Sequence, residues 1–411
     1  MVSDPPFNRA EVEGKVATAF SPHSPVNQAN LFKGRAEQIR TVLDAAQATG
    51  LHAAIYGERG VGKTSLANMI RDSLGDAETG RANCSEVDTF TTVMRRLLAS
   101  VTHSSRQLSE PGFAERSSES RTTVGEGLPK GELSPDYVAS QVADLPQRIV
   151  LIVDEFDRLK PTETLAFADF LKSLSDRGSR LTVVIVGVAE DINALIREHA
   201  SVERCLRQIP LPRMSDAELT EIVQGGLGTA GLSPASETAL SYILHVSQGF
   251  PHYTHLLAQN AAKVAVDAGR LEIDPDDVIE GMRRAVDQAD QSHRELYHKA
   301  VSGSQKQNLW KDVATACAIA PCDERGYFSS RDAHEKLSGL RGRAVAKPTL
   351  AYHLGKMTEA GRGPLLERVG PERRYLYRFV KPFMRPFIVM KAINEGHLKI
   401  ERGTHPPTTD P

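Results

Sequence analysis

The chain has 411 residues, with 50 lysines and arginines against 52 aspartates and glutamates, so its formal net charge is −2. This length predicts two to four domains, and a composition of 40% hydrophobic and 25% charged residues excludes a fibrous, collagen-like or wholly disordered chain. The charge is uneven, because residues 301–411 carry 19 basic and 11 acidic residues, a net charge of +8, whereas the remainder carries −10. The sequence therefore describes an acidic body with a basic C-terminal quarter.

No apolar run approaches the roughly 18 residues of a membrane-spanning helix, and the first residues lack the pattern of a signal peptide. The four cysteines are scattered and match no zinc-binding spacing, although Cys317 and Cys322 remain a weak alternative for a metal site. We therefore expect a cytoplasmic protein with no membrane partner.

In chain order, residues 1–30 are rich in proline, serine and asparagine and predict a flexible N-terminal arm. Residues 31–213 predict an α/β domain, since short apolar strands alternate with helices in the manner of a parallel sheet buried on both faces. Within it, the serine-rich stretch 103–134 predicts a mobile insertion. Residues 214–300 are helical in pattern, 301–396 mix helices with two short strands, and 397–411 form a tail.

Residues 57–64 read Gly-Glu-Arg-Gly-Val-Gly-Lys-Thr and match the phosphate-binding loop, between an apolar strand and an amphipathic helix. Glycines let backbone N–H groups surround phosphate oxygens, and the helix N-terminus adds partial positive charge. We expect Lys63 to reach the β- and γ-phosphates of ATP and Thr64 to offer its hydroxyl to Mg²⁺. The predicted nucleotide contacts of the loop, with ATP or ADP bound, are Gly57, Glu58, Arg59, Gly60, Val61, Gly62, Lys63, Thr64 and Ser65.

A second motif follows about 90 residues later, where the apolar run 148–153 ends in Asp154 and Glu155. The carboxyl ends of parallel strands form the edge of the sheet at which α/β proteins bind ligands. We predict that Asp154 holds Mg²⁺ through water and that Glu155 is the general base for the attacking water.

Together these motifs resemble the AAA+ and STAND ATPases, and especially the branch around the origin-recognition ATPases and their bacterial relatives. The resemblance spans roughly residues 30–385 and implies a helical lid over the nucleotide, assembly into a homo-oligomer or with a partner protein, and ATP hydrolysis. The segment from Phe32 through Gly34 and Arg35 resembles the box whose backbone lies near adenine.

Three further boxes carry roles by this resemblance. Glu190 falls where the family places the sensor 1 donor, so either Asp191 or Asn193 takes that role or hydrolysis is slow. Arg204 and Arg207 lie in the box of the arginine finger, which acts on a neighbouring subunit. The alternative for these arginines is a basic surface helix.

By this resemblance residues 214–300 are the helical lid and residues 301–396 the winged helix. The lid carries Gly249-Phe-Pro251-His252, which resembles the Gly-x-Pro motif of the STAND ATPases. By resemblance Pro251 and His252 lie beside the nucleotide, with His252 where relatives place the sensor 2 arginine. The alternative is that Pro251 simply begins a helix.

The basic quarter resembles a winged helix, with a third helix beginning at Lys347 and two strands joined through residues 370–374. Leu350, Leu354 and Met357 are spaced to face a core, which leaves polar residues on the outer face. The predicted contacts with double-stranded DNA are Arg341, Arg343, Lys347, Thr349, His353, Lys356, Arg373 and Arg374. The alternative is a domain that docks a protein.

We therefore interpret the chain as a Mg²⁺-dependent ATPase whose nucleotide state controls DNA binding or partner assembly through the winged helix. Two alternatives remain: a STAND-like ATP-binding switch or regulatory subunit with little turnover, and a scaffold whose winged helix docks a protein and has no role with DNA.

Overall fold

A computed structural model of the chain describes residues 8–22, 35–107, 118–189, 192–193, 200–303, 309–372 and 374–399. Its first part is a five-stranded parallel sheet with helices on both faces, so the predicted α/β class is confirmed. The elements are α1 Arg9–Ala19, α2 Ala36–Gln47, β1 His52–Gly57, α3 Lys63–Ser73, β2 Glu78–Asn83, α4 Phe90–Ala99, β3 Thr102–Gln107, β4 Ser118–Thr123, α5 Pro135–Ala143, β5 Ile149–Asp154, α6 Pro161–Asp176, β6 Leu181–Val188, α7 Ala200–Glu203 and β7 Leu206–Pro210.

The strand order β2-β5-β6-β1-β7 places β1 and β5 on either side of β6. All six residues of β5 are buried, which explains its unbroken apolar sequence up to Asp154. Helices α4 and α6 cover one face through residues such as Phe90 and Phe167, and α2 and α3 cover the other. Because the strands are parallel, the ends of β1 and β5 meet at one edge of the sheet, where the two motifs lie.

Five helices follow the sheet. They are α8 Asp216–Ala230, α9 Glu237–Ser247, α10 Pro251–Asp267, α11 Pro275–Gln288 and α12 Gln291–Val301. Ser215 and Glu218 cap α8 reciprocally, because the Ser215 hydroxyl accepts from the Glu218 N–H and the Glu218 carboxylate accepts from the Ser215 N–H. Proline at the first position starts both α10 and α11, where its missing N–H costs no hydrogen bond.

The C-terminal part combines helices with a three-stranded antiparallel sheet in the order β8-β10-β9. Its elements are α13 Leu309–Ile319, β8 Phe328–Ser329, α14 Ser330–Arg341, α15 Lys347–Met357, β9 Leu366–Val369, β10 Leu376–Phe379 and α16 Met384–Asn394. Leu350, Leu354 and Met357 are buried, as their spacing predicts.

Two segments are more ordered than the sequence suggests. Within the expected flexible arm, α1 is a helix, and Phe20 after it is buried beside Gly226 and His255 of the helical part. The side chain of Gln259 donates to the Phe20 carbonyl oxygen and adds a polar anchor. In the stretch expected to be a mobile insertion, β3 and β4 pair as an antiparallel hairpin, with residues 108–117 outside the described part.

Across the described ranges, none of the helices has both the length and the apolar character needed to cross a bilayer. All four cysteines are free thiols, and Cys317 is fully buried. The same ranges hold no group of three or more His, Cys, Asp and Glu side chains that could bind a metal without other ligands.

Candidate nucleotide-binding site

The loop between β1 and α3 has the backbone form that the glycines of its motif predict. A Cβ on Gly57 would lie 2.3 Å from the backbone oxygen of Leu211, because the chain after β7 continues beside the end of β1, where the Leu211 N–H donates to the Tyr56 carbonyl oxygen at 2.7 Å. Gly60 has a φ of +93°, in the left-handed region that side chains disfavour. The loop therefore passes close to neighbouring chain segments and turns sharply into α3.

Lys63 begins α3 and is only 8% exposed. Its Nζ donates to the carbonyl oxygens of Gly57 (3.0 Å) and Glu58 (2.8 Å), so the side chain curls back over the loop. Burial lowers the pKa of Lys63 to about 8, against the opposing effect of nearby carboxylates that include Asp157 and Asp154. Thr64 and Ser65 are half-buried on the first turn of α3.

Asp154 ends β5 at the same edge of the sheet and is 3% exposed. Glu155 follows with a φ of +55°, an uncommon conformation for a non-glycine residue that turns the chain out of the sheet. The Glu155 carboxylate is half-exposed and lies 3.2 Å from Nη1 of Arg158. Asp157 accepts the N–H of Val188 (2.8 Å) and so ties this turn to the end of β6.

Arg81 on β2 is a further member of this cluster, and no sequence motif marks it. Its Nη2 donates to Oδ2 of Asp154 at 2.7 Å, and its Nη1 donates to Oδ1 of Asn68 on α3. Nothing in the local sequence marks Arg81, because β2 reaches Asp154 only through the pairing of β2 with β5.

The lid residues predicted to lie beside the nucleotide do approach the loop. A Cβ on Gly62 would lie 3.7 Å from Cγ of Pro251, the first residue of α10. Nδ1 of His252 lies 2.6 Å from the carbonyl oxygen of Pro22, so the segment after α1 shares this corner of the site. The position of Pro251 fits both of its interpretations, as a helix start and as a neighbour of the loop.

Phe383, just before α16, extends from the C-terminal part into the same corner. A Cβ on Gly60 would lie 2.3 Å from Cε1 of Phe383, so the ring covers the loop. The ring stacks on His252 with centroids 5.3 Å apart, and it meets Phe250 and Tyr253 edge to face at 5.6 Å. The Tyr253 hydroxyl also donates to the Phe383 carbonyl oxygen at 3.0 Å.

A partly buried ion pair makes a second connection from the loop to the C-terminal part. Arg213 donates from Nε and Nη2 to the two carboxylate oxygens of Glu58, at 2.7 and 2.9 Å. Its guanidinium lies 4.5 Å from the centroid of the Phe250 ring, and Nη1 lies 3.6 Å from Sγ of Cys322. Glu58, which the motif leaves variable, is thus held through Arg213 to the lid and to the C-terminal part.

The Arg35 side chain has a structural role that the sequence did not predict. It is 4% exposed, donates to the carbonyl oxygen of Pro212 and lies 3.6 Å from the carboxylate of Glu218 on α8. Arg35 therefore ties the start of α2 to the connection between sheet and lid. Its neighbour Gly34 lies outside the described residues.

The arginines proposed as a finger lie at the side of the sheet. Arg204 is largely exposed and pairs with Asp176 at 3.0 Å, and Arg207 is exposed on the edge strand β7. Their action on a neighbouring subunit stays a prediction. Glu190 and Asp191 of the sensor 1 stretch are outside the described part of the chain.

The basic residues predicted to contact DNA fall into two groups. Arg343, Lys347 and Arg374 are exposed, and Thr349 is partly exposed. Arg341 instead pairs with Asp312 at 2.9 Å with its side chain largely covered, and Lys356 pairs with Glu359. Arg373 is not among the described residues.

The prediction that His353 lies on the outer face is wrong. His353 is 9% exposed, its Nδ1 lies 2.7 Å from the Thr349 carbonyl oxygen, and its ring lies 4.2 Å from the ring of Trp310.

The core-facing stripe of α15 is wider than Leu350, Leu354 and Met357 alone, because residues three apart also share a helix face. Tyr352, 58% exposed, is the aromatic residue that faces outward.

The edge of the sheet fits a nucleotide with Mg²⁺. The loop offers backbone N–H groups and Lys63 to phosphates, and the Thr64 hydroxyl and the Asp154 carboxylate are hard oxygen donors. One carboxylate is the usual protein contribution when phosphate oxygens complete the coordination of Mg²⁺.

Comparison with known proteins agrees with this arrangement for the sheet part. Residues 46–196 match the family model described as AAA domain. No curated protein matches the sequence significantly.

Solved structures with a similar course of the chain include Cdc6p from Pyrobaculum aerophilum, with 16% identity, a TM-score of 0.46 and coverage of 93% of this chain and 99% of that chain. The ORC2 protein of Aeropyrum pernix, in ADPNP–ADP complexes, has 16% identity and a TM-score of 0.46, with 92% and 97% covered. The RuvB Holliday junction branch migration motor of Thermotoga maritima has 15% identity and a TM-score of 0.43, with 92% and 99% covered.

Proposed function

We propose that this chain, whose residues 46–196 match the family model described as AAA domain, is a Mg²⁺-dependent ATPase whose nucleotide state is transmitted to its C-terminal part. The observation that carries the proposal is the meeting, at one edge of the sheet, of the glycine loop with Lys63 and the Asp154–Glu155 pair. These residues supply the phosphate-binding and water-activating groups that phosphoryl transfer to water requires.

Each residue has one task in this proposal. Lys63 and the N–H groups of the loop hold the β- and γ-phosphates, and Thr64 with Asp154 hold Mg²⁺, which when bound neutralises charge that develops on the phosphates. Glu155, at the turn after β5, orients the attacking water and takes its proton. Arg204 or Arg207 of a second copy stabilises the transferred phosphoryl group, which makes the active form a homo-oligomer or a complex with a related partner.

Replacement of Glu155 by glutamine tests the hydrolysis step. Glutamine keeps the shape of the side chain but is no base, so we expect Glu155→Gln to lower kcat at least about 100-fold while ATP still binds. Arg158→Ala is the matched control, because it removes the partner of Glu155 and leaves the carboxylate, and its turnover should persist. Steady-state phosphate release is the measurement.

A wild-type rate no higher than that of Glu155→Gln would contradict the enzyme proposal. It would favour the alternative, a STAND-like switch that binds ATP with little turnover. The contact of Phe383 with the loop fits that alternative as well as the ATPase, since it links nucleotide binding to the C-terminal part whether or not ATP is hydrolysed.

The proposed transmission rests on the two connections from the loop. Phe383 lies against Gly60 and His252, and Glu58 is held by Arg213, which also contacts Cys322. A loop that adjusts around phosphates moves Gly60 and Glu58, so these contacts would carry the movement to the C-terminal part. We propose that this coupling controls the partner that the C-terminal part binds.

For that partner we propose double-stranded DNA, bound by a winged helix formed by the C-terminal part. What supports DNA is the net charge of +8 over residues 301–411 together with the exposure of Arg343, Lys347 and Arg374. The alternative is a protein partner. It is supported by Val369 and Leu376, cross-strand neighbours on β9 and β10 that are 40% and 39% exposed.

A further inference from the structure

Arg81 on β2 links the two halves of the nucleotide site. Its strand β2 pairs with β5 in a register that sets Arg81 beside Ile152 and Asn83 beside Asp154. From there the guanidinium donates to Asp154 at 2.7 Å and, through its other terminal nitrogen, to Asn68. A single side chain thus fixes the end of β5 to the helix that follows the phosphate loop.

Both carboxylate oxygens of Asp154 are engaged in this arrangement. Oδ1 accepts the N–H of Glu155 at 2.9 Å, and Oδ2 accepts from Arg81. Because Asp154 is 3% exposed, its negative charge needs compensation from the protein. Lys63 is near, but its Nζ donates to the carbonyl oxygens of the loop, so the cation in hydrogen-bond contact with Asp154 is Arg81.

Arg81 presents a guanidinium, a group that only donates hydrogen bonds, to Asp154. Nε of Arg81 is buried and has no hydrogen-bond partner within the described part of the chain. A hydrated divalent cation that approaches this edge without nucleotide therefore meets the Asp154 carboxylate with its negative charge already balanced by Arg81. The same cation accompanied by phosphates brings its own negative ligands, and the phosphates can also accept from Lys63.

We propose that Arg81 is a positioning residue that serves as the resident counter-ion of Asp154, so that Mg²⁺ binds together with ATP and not alone. The proposal rests on the proposed nucleotide site and adds a task for a residue outside its sequence motifs. Removal of the charge of Arg81 should expose Asp154 to divalent cations in the absence of nucleotide.

The test uses the full chain without nucleotide and Mn²⁺ as the metal, with free Mn²⁺ measured by electron paramagnetic resonance. We expect Arg81→Gln to bind Mn²⁺ at least about tenfold more tightly than the wild type. The conservative variant Arg81→Lys keeps the charge and should stay near the wild-type affinity. Addition of Asp154→Asn to Arg81→Gln should remove the gain, which assigns the new affinity to Asp154.

The proposal is overturned by a folded Arg81→Gln protein that binds Mn²⁺ no better than the wild type. It is equally overturned by an equal gain in Arg81→Lys, which would show that lost packing and not lost charge admits the metal. If Arg81→Gln does not fold, Arg81→Met, which also removes the charge and keeps an unbranched side chain, takes its place, and an unchanged Mn²⁺ affinity in that variant then decides against the proposal.

The readout also separates this proposal from the proposed function. Calorimetry of the wild type with an ATP analogue and Mg²⁺ decides whether the site takes nucleotide, and a failure there contradicts the proposed function. The Mn²⁺ titration contains no nucleotide, so its outcome for Arg81 is independent of that result.

Discussion

At the scale of single residues, the sheet depends on a buried histidine as well as on apolar packing. His52 at the start of β1 is fully buried, its Nδ1 accepts the N–H of Val183 and its Nε2 lies 3.1 Å from the carbonyl oxygen of Leu171. These partners suit a neutral ring with its proton on Nε2. Burial lowers the pKa of His52 to about 4, against a backbone hydrogen bond that raises it.

This histidine predicts acid sensitivity. Below its usual pKa of 6.5 the unfolded chain binds the proton and the folded chain does not, so stability falls as the pH drops from about 6.5 toward 4. Between pH 7 and pH 5 we expect His52 to lower the free energy of unfolding by about 2 kcal/mol. Urea unfolding at both pH values checks this.

His52→Gln is the variant to compare, because glutamine cannot titrate. It should lose about 2 kcal/mol less than the wild type over the same pH interval. Equal losses in the two proteins would contradict the assignment. His255, whose pKa burial also lowers to about 4, contributes in the same direction in both proteins and cancels from the comparison.

Residue roles could be predicted from the sequence where a short motif fixes them. Lys63 and Asp154 lie where the glycine loop and the apolar strand predict, because both motifs describe contiguous chain. A motif could not predict the roles of three other residues, because each reaches the site from a segment that is distant in sequence and carries no motif. They are Arg81, Arg213 and Phe383. The outward position predicted for His353 is wrong because the buried face of α15 is wider than the stripe of Leu350, Leu354 and Met357.

At the scale of elements, α15 carries the proposed DNA contact. Its first turn and the segment before it expose Lys347 and Arg343, while Lys356 at its end pairs with Glu359. An exposed ion pair is weak and easily exchanged for a phosphate, so the pairing does not remove Lys356 from the surface that DNA would meet.

A salt titration of binding to a DNA duplex tests this element. Release of counter-ions predicts that affinity falls by about one log unit per phosphate contact for each log unit of salt. The double variant Arg343→Ala/Lys347→Ala should bind less tightly and reduce this slope by about two. Lys172→Ala, an exposed basic residue on α6, is the control and should leave the slope unchanged.

Two results would count against the DNA proposal. One is the absence of wild-type binding at low salt, and the other is a slope that the double variant does not change. Either result would favour a protein partner on the exposed apolar pair Val369 and Leu376.

Most elements follow from local patterns, and the exceptions have a common cause. The sequence predicts the mainly apolar strands β5 and β6 and the capped helix α8, because burial on both faces selects apolar residues and a cap selects particular residue types. It does not predict helix α1 or the hairpin of β3 and β4. Helix α1 has little amphipathic pattern and is fixed by contacts with α8 and α10, which the sequence does not display.

At the scale of the whole molecule, the phosphate loop is the point where three parts of the chain meet. Pro251 approaches Gly62 from the lid, and Phe383 covers Gly60 from the C-terminal part. Arg35 joins the sheet part to the lid through Pro212 and Glu218. A ligand that reshapes the loop therefore acts on all three parts at once, which is the physical basis of the proposed switch.

The lysine of the loop offers the control for that switch. Lys63→Ala removes the charge that we propose binds the phosphates and should weaken binding of ATP at least about tenfold. Its other contacts are two hydrogen bonds to loop carbonyl oxygens, so the fold of the sheet should persist.

The measurement that tests the central claim most directly is small-angle X-ray scattering of the wild type and Lys63→Ala, each alone, with ADP, and with a non-hydrolysable ATP analogue and Mg²⁺. We predict that the wild-type curve with the ATP analogue differs from those of the other two states, whereas the three Lys63→Ala curves superimpose. Identical wild-type curves in all three states, with the analogue shown to be bound by calorimetry, would contradict the coupling of the phosphate loop to the C-terminal part.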